Sequence, residues 1–333
     1  MQDKYKYIII SPYFGKLPAM FDLWAQSCGR NPQFLFLVFT DDVYKGTLPE
    51  NVEIKTMSFS ALQNLVQSKF DFPVSIESPY KLCDYKPALG YIFQDYLHNC
   101  KYWGHCDMDL VFGVIEKFLP QKDYDKISHL GHLCLYRNTQ QINTAFKLSS
   151  PCLITYKDIF SSPVHFAFDE NDDYGINAIF RKNSLSIYPF EKYVADIDSL
   201  YPNFTLSHYQ DRNFTAETGS RIFVVEDGRV YDYKVDLGSI KQTEYAYVHI
   251  QKRRMERKFV DMPVKYLITP SAFEPWQNIS VDLINSVQKK SSFFKNLLKI
   301  LSVKRVSSPR ALSRKWAITK INYRNKFTRK QIL

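Results

Sequence analysis

Residues Trp103-Gly104-His105-Cys106-Asp107-Met108-Asp109-Leu110-Val111-Phe112-Gly113 set two carboxylates, two positions apart, where an apolar run meets a glycine-closed turn. On an extended backbone, side chains at i and i+2 share a face, so Asp107 and Asp109 address one point. Converging carboxylates repel each other unless a cation lies between them. An oxygen-only pair with open positions suits Mn²⁺ or Mg²⁺, completed by water and a diphosphate. Asp-x-Asp also marks ordinary solvated turns. Its place after Lys101-Tyr102-Trp103 and before Leu110-Val111-Phe112 is what points to a cleft at a strand end.

Upstream of this stretch, strand-like and helix-like segments alternate, the pattern of an α/β sheet. Tyr7 to Ser11, Phe34 to Phe39 and Val52 to Met57 read as strands, the second a continuous apolar run typical of a buried parallel strand. Met20 to Cys28 and Ala61 to Lys69 read as helices. Pro87 to Leu97 has helical spacing, with Pro87 in the first turn, where it is tolerated. Ligands of open sheets lie outside the carboxyl ends of the strands. The loops Ser11–Gly15, Thr40–Asp42 and Asp107–Asp109 fall at such ends and are expected to converge, which brings Ser11, Tyr13 and Asp41 into a donor site. Downstream, Ile127 to Tyr136 reads as a strand, and Thr139 to Leu148 and Tyr174 to Arg181 as helices. Short strands follow at Arg221–Val225, Val230–Val235 and Tyr245–Ile250, with Asp227-Gly228 as a hairpin signal.

The run from Pro79 to Gly113 (PYKLCDYKPALGYIF, then YWGHCDMDLVFG) resembles bacterial glycosyltransferases of capsule and lipopolysaccharide gene clusters. The resemblance extends from Tyr5 to about Arg181 and recurs at Tyr247-Val248-His249-Ile250-Gln251-Lys252-Arg253. It implies a GT-A-like (Rossmann-like) mixed sheet with flanking helices over 1–285, with 1–125 as the nucleotide-sugar half and 126–285 as the acceptor half. It also implies a metal-dependent glycosyltransferase that moves a sugar from a nucleotide-sugar donor, a UDP-sugar foremost, to a surface-polysaccharide or lipid-linked acceptor. The alternative is a non-catalytic, membrane-associated carbohydrate-binding or assembly protein of the same fold, because fold alone does not settle function.

Several side chains fit that chemistry. Lys81, Asp84 and Lys86 precede the Asp-x-Asp; the lysines can neutralise a diphosphate and Asp84 can orient them, or the group is a solvated helix start capped by Asp84. Asp107 serves both metal and donor. His249 offers a third ligand, and Lys252 a cation for the departing diphosphate; a structural histidine beside a strand is the rival. Asp169-Glu170-Asn171-Asp172-Asp173 exceeds what capping of a helix start requires. Asp169 and Glu170 are therefore candidate catalytic carboxylates or acceptor contacts. His129 and His132, at i and i+3 on an expected strand, should face opposite sides and form no joint metal site.

At 333 residues, 45% hydrophobic and 16% aromatic, the chain can bury a substantial core, which excludes wholesale disorder. The six cysteines show no zinc spacing and suit free thiols in a reducing cytoplasm. No secretory leader and no membrane-spanning stretch is expected. The net charge of +10 resides in the tail. Fourteen Lys and Arg lie within 289–333 without one acidic residue, leaving 30 basic against 34 acidic residues in the body. In the tail, 286–333, Phe293, Leu297, Ile300 and Leu301 form one helical stripe, and Trp316, Ile318, Ile321, Tyr323 and Phe327 alternate with cations. Such a segment suits an anionic membrane surface, each nearby cation contributing about 1 kcal/mol. The mildly acidic body argues against nucleic acid. The expected location is the cytoplasm, peripheral on the inner face of the plasma membrane, through 289–333.

Overall fold

The structure, a computed structural model, describes residues 4–251, 253–289 and 309–330. Strands β1 (Tyr7–Pro12), β2 (Phe34–Thr40), β3 (Val52–Thr56), β4 (Tyr102–Cys106), β5 (Leu110–Phe112), β6 (Lys126–Ile127), β7 (Leu133–Arg137) and β8 (Ile187–Tyr188) make up its first part. All but β5 join one sheet in the order β3-β2-β1-β4-β7-β6-β8. Strands β1 to β4 run parallel, and β7 reverses against β4. The mixed α/β class expected from the alternating pattern is therefore present.

Strand β2 shows why the sheet holds. Every residue of Phe34–Thr40 is buried. Phe34, Phe36 and Val38 pack with Tyr7, Ile9 and Trp24 on one face, while Leu35, Leu37 and Phe39 pack with Ile8 and Ile10 on the other. The two-residue period of a strand turns one apolar run into two core layers. The helix Phe21–Gly29 supplies Trp24 to the first face. The helix Phe59–Ser68, capped by the Ser58 hydroxyl on Ala61 N, covers the second with Leu62 and Val66.

Other expected elements are interrupted. Pro87–Leu97 is a 3₁₀ run from Pro79 to Ala88, one α turn from Leu89 to Ile92, and a further 3₁₀ turn. Pro87 lacks an amide donor, and Gly90 lies so close to β4 that a Cβ there would stand 2.1 Å from Trp103 Cε2. The segment is moulded to that contact. The strand expected over Ile127–Tyr136 divides into β6 and β7 around 128–132, with Ser128 at φ 78°.

In the second part come β9 (Val194–Asp196), β10 (Leu206–Gln210), β11 (Asn213–Glu217), β12 (Arg221–Glu226), β13 (Arg229–Asp236), β14 (Ser239–Tyr245) and β15 (Tyr247–His249). The β12–β13 hairpin turns on Asp227-Gly228, both at positive φ, as the sequence signal requires. Strand β15 pairs antiparallel with β5 and parallel with β9, so three distant segments form one small sheet.

The tail stripe at 293–301 lies outside the described residues. The helix Pro309–Lys330 is present, and it rests on the body. Ala317 is buried, Ile318 and Ile321 pack against the main core, and Arg314 Nε donates to His165 O at 3.1 Å. Two of the interleaved residues assigned to a membrane, Ile318 and Ile321, thus pack on the protein itself, while Leu312 and Trp316 are exposed. Among the described residues, no helix is long and apolar enough to cross a membrane.

Candidate metal centre and reaction cleft

The order β3-β2-β1-β4 places β1 between an earlier and a later parallel neighbour, a topological switch point. Crevices form there, outside the carboxyl ends of the strands. A cleft of about 920 Å³ opens at that position, between Ser11-Pro12-Tyr13-Phe14 after β1 and the Asp107–Asp109 segment after β4. Asp107 and Asp109 occupy a bend between β4 and β5 rather than a continuous strand, and the bend brings them together. The small sheet then supplies the third member. Register pairs His249 with Leu110 and with Asp196, and Ile250 N donates to Asp109 O at 2.9 Å. Ligand atoms of Asp107, Asp109 and His249 lie within 4.8 Å of one another.

His249 is held from behind. Its Nδ1 bonds Asp196 Oδ1 at 2.8 Å, and its Nε2 stands 3.4 Å from Asp109 Oδ1. Burial alone would lower the imidazole, but Asp109 and Asp196 raise it to about 10. Burial likewise opposes ionisation of Asp196, yet the bond from His249 brings that carboxyl down to about 2. Behind His249, its ring 4.3 Å away, lies His132. The His132 Nδ1 meets Tyr247 Oη at 2.8 Å, and burial followed by the His249 charge drives its ring down to about 3. His132, Asp196 and His249 form a second compact group. The bond between His249 and Asp196 makes this inner group a support for the outer one. A hard divalent cation fits the outer set: two carboxylates and one imidazole with a carboxylate behind it. Asp109 Oδ1 is buried with His249 Nε2 as its polar neighbour at 3.4 Å, so a cation entering between them would displace the Nε2 proton.

Lys86 links this group to the acidic segment. Its Nζ is 2.7 Å from Asp107 Oδ1, 2.9 Å from Gly131 O and 3.3 Å from Asp169 Oδ2. Burial works against its charge, but Asp107 and Asp169 hold it well above the ordinary lysine value. Asp169 is pushed up to about 8, first by burial and then by neighbouring carboxylates, with Lys86 opposing. Gly131 allows this approach, since a Cβ there would stand 2.6 Å from Asp169 Oδ2. Glu170 is exposed beside it, 3.2 Å from the same point. The cluster does not open a helix as expected: the next helix begins at Ile176, with Gly175 as its cap. Helix capping thus explains neither Asp169 nor Glu170.

Two donor-site expectations are corrected. Lys81 and Asp84 are 2% and 0% exposed and do not line the cleft. Lys81 Nζ is consumed by Asp84 at 2.7 Å and by the carbonyls of Ile159 and Val164. Asp84 accepts from Phe166 N and Phe168 N at 2.9 to 3.1 Å. The pair is a buried clip that pins the turn around Ala167, itself at φ 54°, one residue before the segment carrying Asp169. Asp41 also misses the cleft. Its carboxylate takes Gly15 N at 2.7 Å, because β2 is one strand removed from the switch point, so Asp41 shapes the β1 loop from outside. Lys252 lies outside the described residues. Its neighbour Arg253 is locked on the carbonyls of Asp198, Tyr201, Pro202 and Asn203, whereas Arg254 is exposed and lines the cleft.

Ser11, Tyr13, Lys86, Asp107 and Asp109 do line one cleft, with His249 behind the carboxylates. Asp196 and His132 were missed. Asp196 sits in a short strand without a motif, and His132 was legible only as half of Ser128-His129-Leu130-Gly131-His132. His129 takes no part: it is paired with Glu191 through both its amide and its ring. His105, buried in the cleft wall with neither ring nitrogen bonded, is driven well below its ordinary value by burial and by Lys86. Residues 9–277 match the profile of a family of unknown function (DUF6625), and the chain belongs to that family. A search of curated proteins returns no match.

Proposed function

We propose that this DUF6625 member is a metal-dependent glycosyltransferase with a GT-A-like sheet, using a nucleotide-sugar donor, UDP-sugars foremost. The observation that carries the reading is the convergence of Asp107, Asp109 and His249 within 4.8 Å at the switch point of a parallel sheet, with Asp196 bonded behind His249. A Mn²⁺ or Mg²⁺ ion held there would supply charge stabilisation for a departing nucleoside diphosphate.

The chain's own residues account for the remaining work. Asp196 orients His249, and Lys86 steadies Asp107. Arg254, on the cleft wall, replaces Lys252 as the cation best placed by the described residues to meet the diphosphate. Asp169 and Glu170 do not line the cleft; Asp169 borders it through Lys86, and in this reading it takes the proton of an acceptor hydroxyl that enters beside that lysine. Asp169 is the better general base, since its raised value lies close to neutral. The acceptor is a surface glycan or lipid-linked sugar. Attachment to the inner face of the plasma membrane would rest on the tail cations and on the outward Trp316 and Leu312. A UDP-sugar panel, with and without Mn²⁺, tests the reading. Donor hydrolysis that requires metal and disappears in Asp109→Ala supports it. Binding without hydrolysis in every combination would favour a non-catalytic carbohydrate-binding protein.

A further inference from the structure

A second cleft, of about 850 Å³, shares no lining residue with the first. The β10–β11 hairpin forms one wall, and it is largely exposed along β11. Its turn residues, Asp211 and Arg212, adopt φ 50° and 67°, a conformation that normally selects Asn-Gly. From that strained conformation Arg212 lines the cleft. Lys192 also lines the cleft and is exposed. The carboxylates within reach are mostly engaged. Glu191 holds His129, and Asp172 holds Arg181 and Tyr209 at 3.0 and 2.6 Å. Asp211, at the tip, is the exception. Tyr209 and His129 give the cleft its aromatic lining, their rings 5.7 Å apart, and Phe214, exposed and outside the lining, backs the Tyr209 ring at 5.1 Å.

Lys192, Arg212 and the Tyr209 ring in one cleft are the chemistry that recognises a charged sugar chain: a ring covers an apolar sugar face and the cations meet carboxylate or phosphate. One turn lies between the two clefts, lining neither but touching a lining residue of each. Asp172 bonds Tyr209 in the second cleft, and Asp169, three residues earlier, faces Lys86 at the metal centre. Asn177 Nδ2 ties the same turn to His129 by donating to the His129 and Glu170 carbonyls. We infer that the second cleft binds an anionic glycan, the acceptor chain, with its reactive end directed to Asp169 and Glu170. This rests on the glycosyltransferase reading of the first cleft.

The test uses the full chain and four probes, followed by calorimetry: tetragalacturonate, a glycerol-phosphate oligomer, neutral maltotetraose, and Mn²⁺ alone. The expected result is binding of at least one anionic oligomer, weakening as salt rises toward about 0.15 M, and none of maltotetraose. The carboxylated and phosphorylated arms separate the two sources of charge. Arg212→Ser combined with Lys192→Gln should weaken the anionic oligomer about tenfold, and Phe214→Ala should weaken it further, with Mn²⁺ binding unchanged. Failure of both anionic probes at millimolar concentration, equal binding of maltotetraose, or indifference to the double variant overturns the inference while leaving the donor reading intact. Loss of Mn²⁺ binding in the wild type, with the oligomer still bound, would sink the donor reading instead.

Discussion

Replacing Asp196 tests whether His249 is a metal ligand aimed from behind. Asp196 is 6% exposed and accepts the His249 Nδ1 hydrogen at 2.8 Å, which leaves Nε2 directed toward Asp109. Removing such a supporting carboxylate lowers metal affinity by about 10–100-fold, or about 1.4–2.8 kcal/mol. Asp196→Asn keeps an acceptor oxygen at the same place and should fall near the lower figure. Asp196→Ala frees the ring to rotate and should approach the upper one. The alanine variant also strands a buried imidazolium with one partner fewer, costing about 3–5 kcal/mol of stability, so melting must be followed alongside. The β9–β15 pairing, made by backbone, should keep the small sheet in register in both variants. Titration calorimetry with Mn²⁺ at constant pH reads the effect. If both variants remain folded and bind Mn²⁺ as tightly as the wild type, His249 is not a ligand and the centre described above is wrong.

Asp109→Ala should abolish metal-dependent donor hydrolysis with circular dichroism unchanged, and Asp107→Ala should come close to it; full activity in excess chelator would refute both. Turnover should rise about tenfold per pH unit up to about 8 and then level off, because Asp169 must lose its proton to act as a base. Asp169→Asn should erase that limb and Glu170→Gln should reduce turnover, so an unchanged profile in Asp169→Asn removes it from the reaction. The same raised carboxyl contributes stability that is complete below the ordinary aspartate value and lost as pH rises through about 8, which a melting series can follow. Asp84→Ala should cost about 3–5 kcal/mol, since it leaves Lys81 charged and buried and frees two amides of the acidic turn; a melting point equal to wild type would show that the clip is dispensable. Deleting 309–333 should lower the melting temperature by uncovering the surface under Ala317, Ile318 and Ile321, and should also reduce pelleting with anionic liposomes; unchanged melting would mean that the helix does not rest on the body.

Much of the site was legible because strand ends are. Phe34–Thr40 and Tyr7–Pro12 declare themselves by apolar runs, and parallel strands put their carboxyl ends on one edge, so Ser11, Tyr13, Asp107 and Asp109 follow from pattern alone. The misreading of Lys81 and Asp84 has a local cause. Lys81 and Asp84 look like a donor site because charge near an Asp-x-Asp suggests solvent and phosphate, whereas a tight 3₁₀ run turns them inward against Phe166 and Phe168. Sequence carries no signal for which way a charged side chain points when the helix period fails. Asp196 and His132 escaped because their partners are 53 and 115 residues distant, and only strand pairing brings them together.

The three-stranded sheet of β5, β15 and β9 has a consequence for how the molecule comes into being. Its strands come from Leu110–Phe112, Val194–Asp196 and Tyr247–His249, so the centre cannot close until chain well past the first sheet has been made. A nascent chain that ends before β9 carries Asp107 and Asp109 with neither the imidazole nor its supporting carboxylate. Such long-range pairing is slow to form, and domains fold in the order they are synthesised. In the proposed reading, cation uptake would then wait for the finished protein, since the small sheet joins segments on both sides of residue 125. If the proposed centre binds Mn²⁺, loading would report complete folding, and a proteolytic cut between Asp109 and His249 that separated the strands would abolish it without removing a candidate ligand.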